Sequence, residues 1–191
     1  MAKKQRGGIK IEQMKFYDSE SKLVNLSDIQ LGYNPRSSLG DLSSLKQSIQ
    51  QIGLLDSITL RPNGHKDEGR PYELVCGHRR YKAFEELKYL QIPSNIRQLS
   101  DEESFHIAFI DNKEREDHNP IDEARHYQKA QQKYDLSTRK LAEKYGGGDA
   151  YYKYKLQLLS LPDEVVTRVT SNELTESHCR HICKLLNNNP C

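Results

Sequence analysis

Residues 72–87, YELVCGHRRYKAFEEL, constrain the fold more than any other stretch of this 191-residue chain. Tyr72 to Cys76 has the β-formers of a short buried strand, with Val75 at its centre. Gly77 breaks it, and Tyr81, Ala83, Phe84 and Leu87 then recur at helical spacing over 79–89. A strand therefore turns through a glycine into a helix whose first turn holds Arg79 and Arg80. The unpaired N–H groups of a helix N-terminus attract anions. Two cations in that turn oppose the helix dipole unless an anion is bound. A guanidinium fork binds phosphate oxygens bidentately, so this turn is a place to hold a phosphate.

Around it, the pattern predicts a small α/β unit. Val24 to Ile29 reads as a short edge strand or extended arm ending in a turn at Asn34-Pro35. Leu42, Leu45, Ile49 and Ile52 mark a helix from Asp41, stopped by Gly53. Ile58 to Arg61 is a strand, and Pro62-Asn63-Gly64 opens the turn toward Tyr72. Pro93 marks a loop, Asn95 to Leu99 a further strand, and Asp101 the N-cap of a helix reaching about Glu114.

Beyond Pro120, every segment reads as helix. The stretches are 121–134, 138–145, 149–160 after Gly146-Gly147-Gly148, 163–169, and a last one from Thr175 to about Leu186. Two short helices joined by a glycine turn have the layout of a helix-turn-helix. Lysines alternate with tyrosines in Tyr151-Tyr152-Lys153-Tyr154-Lys155, and both residue types contact the backbone of DNA. The competing reading is an amphipathic helix with Tyr152 in the core and the lysines in water.

Composition narrows the class. The chain has 35% hydrophobic and 29% charged residues, with no apolar run long enough to cross a membrane. Four cysteines form no disulfide-dense pattern, as suits a reducing cytoplasm. Residues 1–123 carry 18 Lys+Arg against 20 Asp+Glu, and residues 124–191 carry 11 against 7. The C-terminal third is thus mildly basic, which permits nucleic-acid binding without diagnosing it. Lys3, Lys4, Arg6 and Lys10 give residues 1–22 the look of a flexible basic tail. His178, Cys179, His181 and Cys183 crowd onto one helix, unlike the separated ligand pairs of structural zinc sites.

Three boxes in order resemble the ParB family of chromosome and plasmid partition proteins. They are Leu42-x-x-Leu45-x-x-Ser48-Ile49 with Gly53-Leu54-Leu55 and Leu60-Arg61-Pro62, then Gly77-His78-Arg79-Arg80-Tyr81-Lys82-Ala83, similar to GERRxRA, and Asp111-Asn112-Lys113-Glu114-Arg115 before Asn119-Pro120. The resemblance continues through Leu136-Ser137 and Leu141-Ala142-Glu143 to Leu174-Thr175-Glu176, covering about residues 25–187.

It implies an α+β chain. A mixed α/β, sulfiredoxin-like nucleotide domain over 23–118 precedes an all-α helix-turn-helix domain over 119–191. The nucleotide would be CTP with Mg²⁺, held by Gly53, Arg61, Gly77, His78, Arg79, Arg80, Asn112 and Arg115, with Asp111 near the metal and any slow hydrolysis. DNA would meet Thr138, Arg139, Tyr151, Lys153, Tyr154 and Lys155. CTP would bring two N-terminal domains together and close a clamp on double-stranded DNA at a centromere-like site. Arg6 would touch a ParA-type ATPase, and the protein would sit in the cytoplasm on the nucleoid.

The departures are His78 for the glutamate of GERR, Asp111 and Glu114 in the third box, Asp56-Ser57 for Gln-Pro, and Gly147-Gly148-Asp149 in the recognition helix. Two rivals stay open: a helix-turn-helix regulator with a degenerate nucleotide domain, and a ParB-like nuclease. The nuclease would need clustered carboxylates beyond Asp111.

Overall fold

The computed structural model describes residues 19–64, 69–113 and 119–188. Five strands form one mixed sheet: β1 (Ser19–Asn25), β2 (Ile29–Leu31), β3 (Ile58–Pro62), β4 (Tyr72–Cys76) and β5 (Gln91–Arg97). Their spatial order is β1-β5-β3-β4-β2. The β1–β5 and β3–β4 pairs are antiparallel, and β2–β4 and β3–β5 are parallel. Alternation on β3 and β5 sends Ile58, Leu60, Ile92 and Ile96 inward, where they meet Leu74, Ala83 and Phe84.

Several expected boundaries move. β1 begins at Ser19, so residues 19–22 of the expected tail belong to the sheet. The expected arm over 24–29 is the end of β1, a 3-10 turn over Leu26–Asp28 and the start of β2. Pro93 lies inside β5, opposite Leu23 of β1. The parallel partner β3 pairs with β5 only from Ser94 onward, so Pro93 sits where β5 has β1 alone beside it. A residue without an N–H is tolerated at such an edge-like position.

Helix α1 (Ser43–Ile52) starts where Asp41 Oδ1 accepts from the Ser43 N–H at 3.0 Å and ends at Gly53, whose φ is 82°. Helix α2 (His78–Glu86) stops three residues before the expected end, with Lys88 at φ 60°. Helix α3 (Asp101–Lys113) is capped by Ser100, not Asp101. The Ser100 Oγ accepts from the Glu103 N–H at 3.3 Å while Glu103 Oε2 accepts from the Ser100 N–H at 2.9 Å. That reciprocal pair is a capping box.

The remaining helices are α4 (Pro120–Tyr134), α5 (Thr138–Tyr145), α6 (Asp149–Gln157), α7 (Asp163–Thr170) and α8 (Glu176–Asn188). Asn119 caps α4 through its side chain and Pro120 occupies the first turn. α6 tightens into a 3-10 turn at Leu158–Ser160, earlier than the expected helix end. Two apolar clusters hold the bundle. Ile121, Ala124, Leu158 and Val169 pack around Cys179 and Cys183 of α8. Phe105 and Phe109 of α3 join Tyr127, Leu141 and Tyr152. Thus α3 lies against β4 on one side and fills the helical core on the other.

Within the second cluster, His126 stacks on Phe109 at 3.7 Å between ring centroids. Its two nitrogens meet the hydroxyls of Tyr33, at 3.3 Å, and Tyr145, at 3.1 Å. Burial pushes this imidazole down to about 3, so it is a neutral member of the core.

Candidate functional site

The strand–glycine–helix turn opens onto a cleft of about 280 Å³. Gly77 takes φ 98°, a left-handed conformation that side chains disfavour. A Cβ there would also come within 2.7 Å of Ile58 Cγ2. The turn therefore requires glycine on both counts. Gly53, Gly77, His78, Arg79 and Arg80 line the cleft from the α/β side, and Asp111 and Asn112 face them from α3. Of the nucleotide residues expected from the sequence, these seven converge.

Arg61 does not. Its guanidinium donates to Glu73 Oε2 at 2.5 and 3.0 Å and to Asp101 Oδ1 at 2.6 Å, beside a different cleft. This placement has a simple cause: Arg61 is the fourth residue of β3, and Glu73 is its cross-strand partner. Arg115 and Arg6 lie outside the described residues.

The two arginines of α2 brace the rim of the cleft. Arg79 donates to the carbonyls of Leu39 and of Asp41, the latter at 2.8 Å. Arg80 Nη1 donates to the carbonyls of Asp56, at 2.7 Å, and Ser57, at 2.8 Å. Both therefore hold loops closed around the helix N-terminus while keeping cationic charge beside it. A guanidinium has five N–H donors, so bracing and anion binding are compatible.

One cleft residue escaped the sequence reading. Arg36, after Asn34-Pro35, donates from Nε to Asn112 Oδ1 at 2.8 Å. The pairing spans 76 positions, and only the Asn-Pro turn before Arg36 hinted that its loop was ordered. Next to it, Ser37 donates its N–H (3.0 Å) and hydroxyl (3.1 Å) to Asp122 Oδ2, tying the loop to α4.

His78 occupies the first position of α2. Its Nε2 is buried and has no hydrogen-bond partner among the described residues. Burial pushes the imidazole below its ordinary range, opposed by a hydrogen bond to the backbone of Gly32 and by the nearby Asp111 carboxylate. The ring in the cleft is thus held toward its neutral form.

In the helical domain, α5 and α6 flank the turn Gly146–Gly148, and the Tyr152 hydroxyl donates to the Gly146 carbonyl at 2.5 Å. Arg139 and Lys153 are exposed; Thr138 donates to Asp149 Oδ1, and Lys153 Nζ lies 2.6 Å from Asp149 Oδ2. Tyr151 and Tyr154 are half-buried, their hydroxyls donating to Glu123 Oε1 (2.7 Å) and the Glu176 carbonyl (3.2 Å).

Lys155 is displaced from the expected DNA-facing set. Its side chain is 3% exposed, with Nζ 2.6 Å from Glu123 Oε2 and 2.9 Å from Glu176 Oε2. Three residues after Tyr152, it falls on the inward face of α6. His178 and His181, weighed as metal ligands, bond locally to Thr175 and to the Ser177 carbonyl, while Cys179 and Cys183 are core residues.

The ParB N-terminal domain model matches residues 11–113, and the ParB HTH domain model matches residues 116–190. The chain belongs to the ParB family. It is 31% identical over 175 residues to a nucleoid occlusion protein of Lysinibacillus sphaericus, covering 89% of this chain and 57% of the relative. A nucleoid occlusion protein of Bacillus subtilis is 33% identical over 155 residues, covering 80% of this chain and 54% of the relative. The chain therefore spans little more than half the length of these curated relatives.

Among solved structures, the C-terminally truncated chromosome-partitioning protein ParB of Caulobacter crescentus, complexed to the centromeric parS site, is 28% identical with a TM-score of 0.57. That match covers 85% of this chain and 84% of the other. The mixed sheet followed by a helical helix-turn-helix region is the ParB arrangement. Among the described residues, no helix is long and apolar enough to cross a membrane.

Proposed function

We propose that this chain is the nucleotide- and DNA-binding part of a ParB-type clamp, acting in chromosome partition or nucleoid occlusion. CTP, with a divalent cation, would occupy the cleft at Gly77. Two N-terminal domains would then associate, and α5–α6 would engage a centromere-like site on double-stranded DNA. A ParA-type ATPase would meet the N-terminal segment, and any hydrolysis of CTP would be slow.

The observation that carries this reading is α3. It presents Asp111 and Asn112 to the cleft and buries Phe105 and Phe109 in the helical core. Nucleotide binding that moved α3 would have to repack the helices that meet DNA. Asp111 and Asn112 would hold the cation together with phosphate oxygens, and the cation would neutralise charge on the bound triphosphate.

The test is calorimetric titration of the chain with CTP, ATP and GTP. Binding of CTP alone is expected. Binding of none would leave the second reading, a helix-turn-helix regulator on a retired nucleotide fold, which the substitution at His78 favours. A preference for ATP would overturn both.

For DNA, Lys153→Ala is expected to weaken binding and reduce the slope of log K against log salt by about 1. Anisotropy titrations over a range of salt check this. An unchanged slope would remove Lys153 from the phosphate contacts.

A further inference from the structure

The surface that α5 and α6 offer to DNA has few side chains free to read a base. In a helix-turn-helix the first helix crosses the backbone, and the N-terminal residues of the second meet the base edges. Here the second helix is entered through Gly146-Gly147-Gly148, which bring no side chain. Tyr152 and Lys155 are buried. The hydroxyls of Tyr151 and Tyr154 are given to Glu123 and to the Glu176 carbonyl. Ala150 is exposed but offers only a methyl group. Polar readout from the first two turns of α6 therefore falls to Asp149 and Lys153.

Asp149 is held in place. Thr138 of α5 donates to its Oδ1, and Lys153, one turn further along α6, lies 2.6 Å from its Oδ2. A carboxylate in a first turn suits the helix dipole, and the pair with Lys153 is an ordinary i,i+4 contact. The bond from Thr138 is different, because it comes from the other helix of the motif. It fixes the carboxylate at the junction of α5 and α6, with 40% of the side chain exposed. Two residues expected to face DNA thus converge on an acidic one.

We propose that Asp149 is the base-reading residue of α6 and that it selects cytosine. The inference rests on α5–α6 being the DNA-binding pair. In the major groove guanine presents two acceptors, thymine an acceptor and a methyl group, and adenine an acceptor beside its amino group. Each of these would set an acceptor before the carboxylate. Cytosine alone presents only a donor, its N4 amino group, and a carboxylate accepts from it. A carboxylate has about four lone-pair sites, so this contact is compatible with the bond from Thr138. Lys153 would leave Asp149 for a phosphate when DNA binds.

The test is selection of bound duplexes from a randomised library, with sequencing of the enriched sites, for the parent chain and for Asp149→Asn. The parent is expected to enrich a site with a fixed C·G pair at the position read by Asp149. Asp149→Asn is expected to replace that pair with A·T, because an amide bonds bidentately to adenine N6 and N7. Asparagine still accepts from Thr138, so the junction of the two helices is kept. Anisotropy with duplexes differing only at that pair should show discrimination on the order of tenfold by the parent, and its reversal by the variant. Asp149→Ala should lose discrimination there and nowhere else. Sites unchanged in both variants, or relaxed equally at every position, would overturn the assignment of Asp149 and leave α5–α6 as the DNA-binding pair. Equal binding of all sequences by the parent would do the same. Binding of no duplex by the parent would remove both readings.

Discussion

Glu123→Ala is expected to destabilise the chain by about 3–5 kcal/mol, because it strands a lysine in the interior. Glu123 is 2% exposed and sits on α4, facing α3 and α6. Its Oε1 accepts from the hydroxyls of Tyr127 (2.8 Å) and Tyr151 (2.7 Å) and lies 3.2 Å from Lys113 Nζ. Its Oε2 takes Lys155 at 2.6 Å. Removing the carboxylate leaves Lys155 with the Glu176 carboxylate and takes the acceptor from two phenol hydroxyls, of which Tyr127 still accepts from Lys113 at 3.2 Å.

In a chain of this size, a loss of that magnitude lowers Tm by roughly 10 °C or more. Lys155→Met should cost less, since the tyrosines and Lys113 still serve the carboxylate. A reciprocal double-mutant cycle read by thermal unfolding checks the coupling. A Tm within about 2 °C of the parent for Glu123→Ala would show that the pair is solvated, contrary to its burial.

This network also shows where sequence reading stops. The alternation of lysine and tyrosine in residues 151–155 looked like a DNA-facing stripe, and for Lys153 the exposed position agrees with that geometry. Lys155 shares the alternation but falls on the buried side, and its carboxylate lies 32 positions upstream on α4. Nothing within α6 announces a partner so far away. Arg61 lies away from the cleft for the same reason: its motif resembles a nucleotide box, but the antiparallel pairing of β3 with β4 places Glu73 directly across from it.

Local signals fared better. The strand, Gly77 and the helix after it were legible because backbone conformation, apolar spacing and charge all act within sixteen residues. The cap of α3 was misplaced by one position because Ser100 and Asp101 are both good N-caps, and only the Glu103 side chain chooses between them. Pro93 misled because proline usually ends a strand; whether it can stay depends on which neighbour is present, and that is a property of the sheet.

Arg80→Ala is expected to reduce CTP binding by about tenfold to a hundredfold, the range for losing one charge-assisted contact, while leaving DNA affinity within about threefold. Arg80 sits in the first turn of α2, where its charge reinforces the unpaired N–H groups of the helix. Its Nη1 also clamps the carbonyls of Asp56 and Ser57, at the mouth of the same cleft. Two effects are thus combined: lost cationic charge and a loosened loop. Arg80→Lys separates them, because an ammonium keeps the charge but cannot hold two carbonyls and a phosphate with a planar fork.

If charge dominates, the lysine variant should recover most of the affinity; if the clamp dominates, it should resemble alanine. Calorimetry with CTP and anisotropy with a DNA duplex read the two sites independently. The core under the α5–α6 pair, around Leu141 and Tyr152, is shared with Phe105 and Phe109 of α3 and does not include Arg80. Equal loss of nucleotide and DNA binding would therefore mean that the cleft and the helix-turn-helix are one cooperative unit, with α3 the element that makes them so.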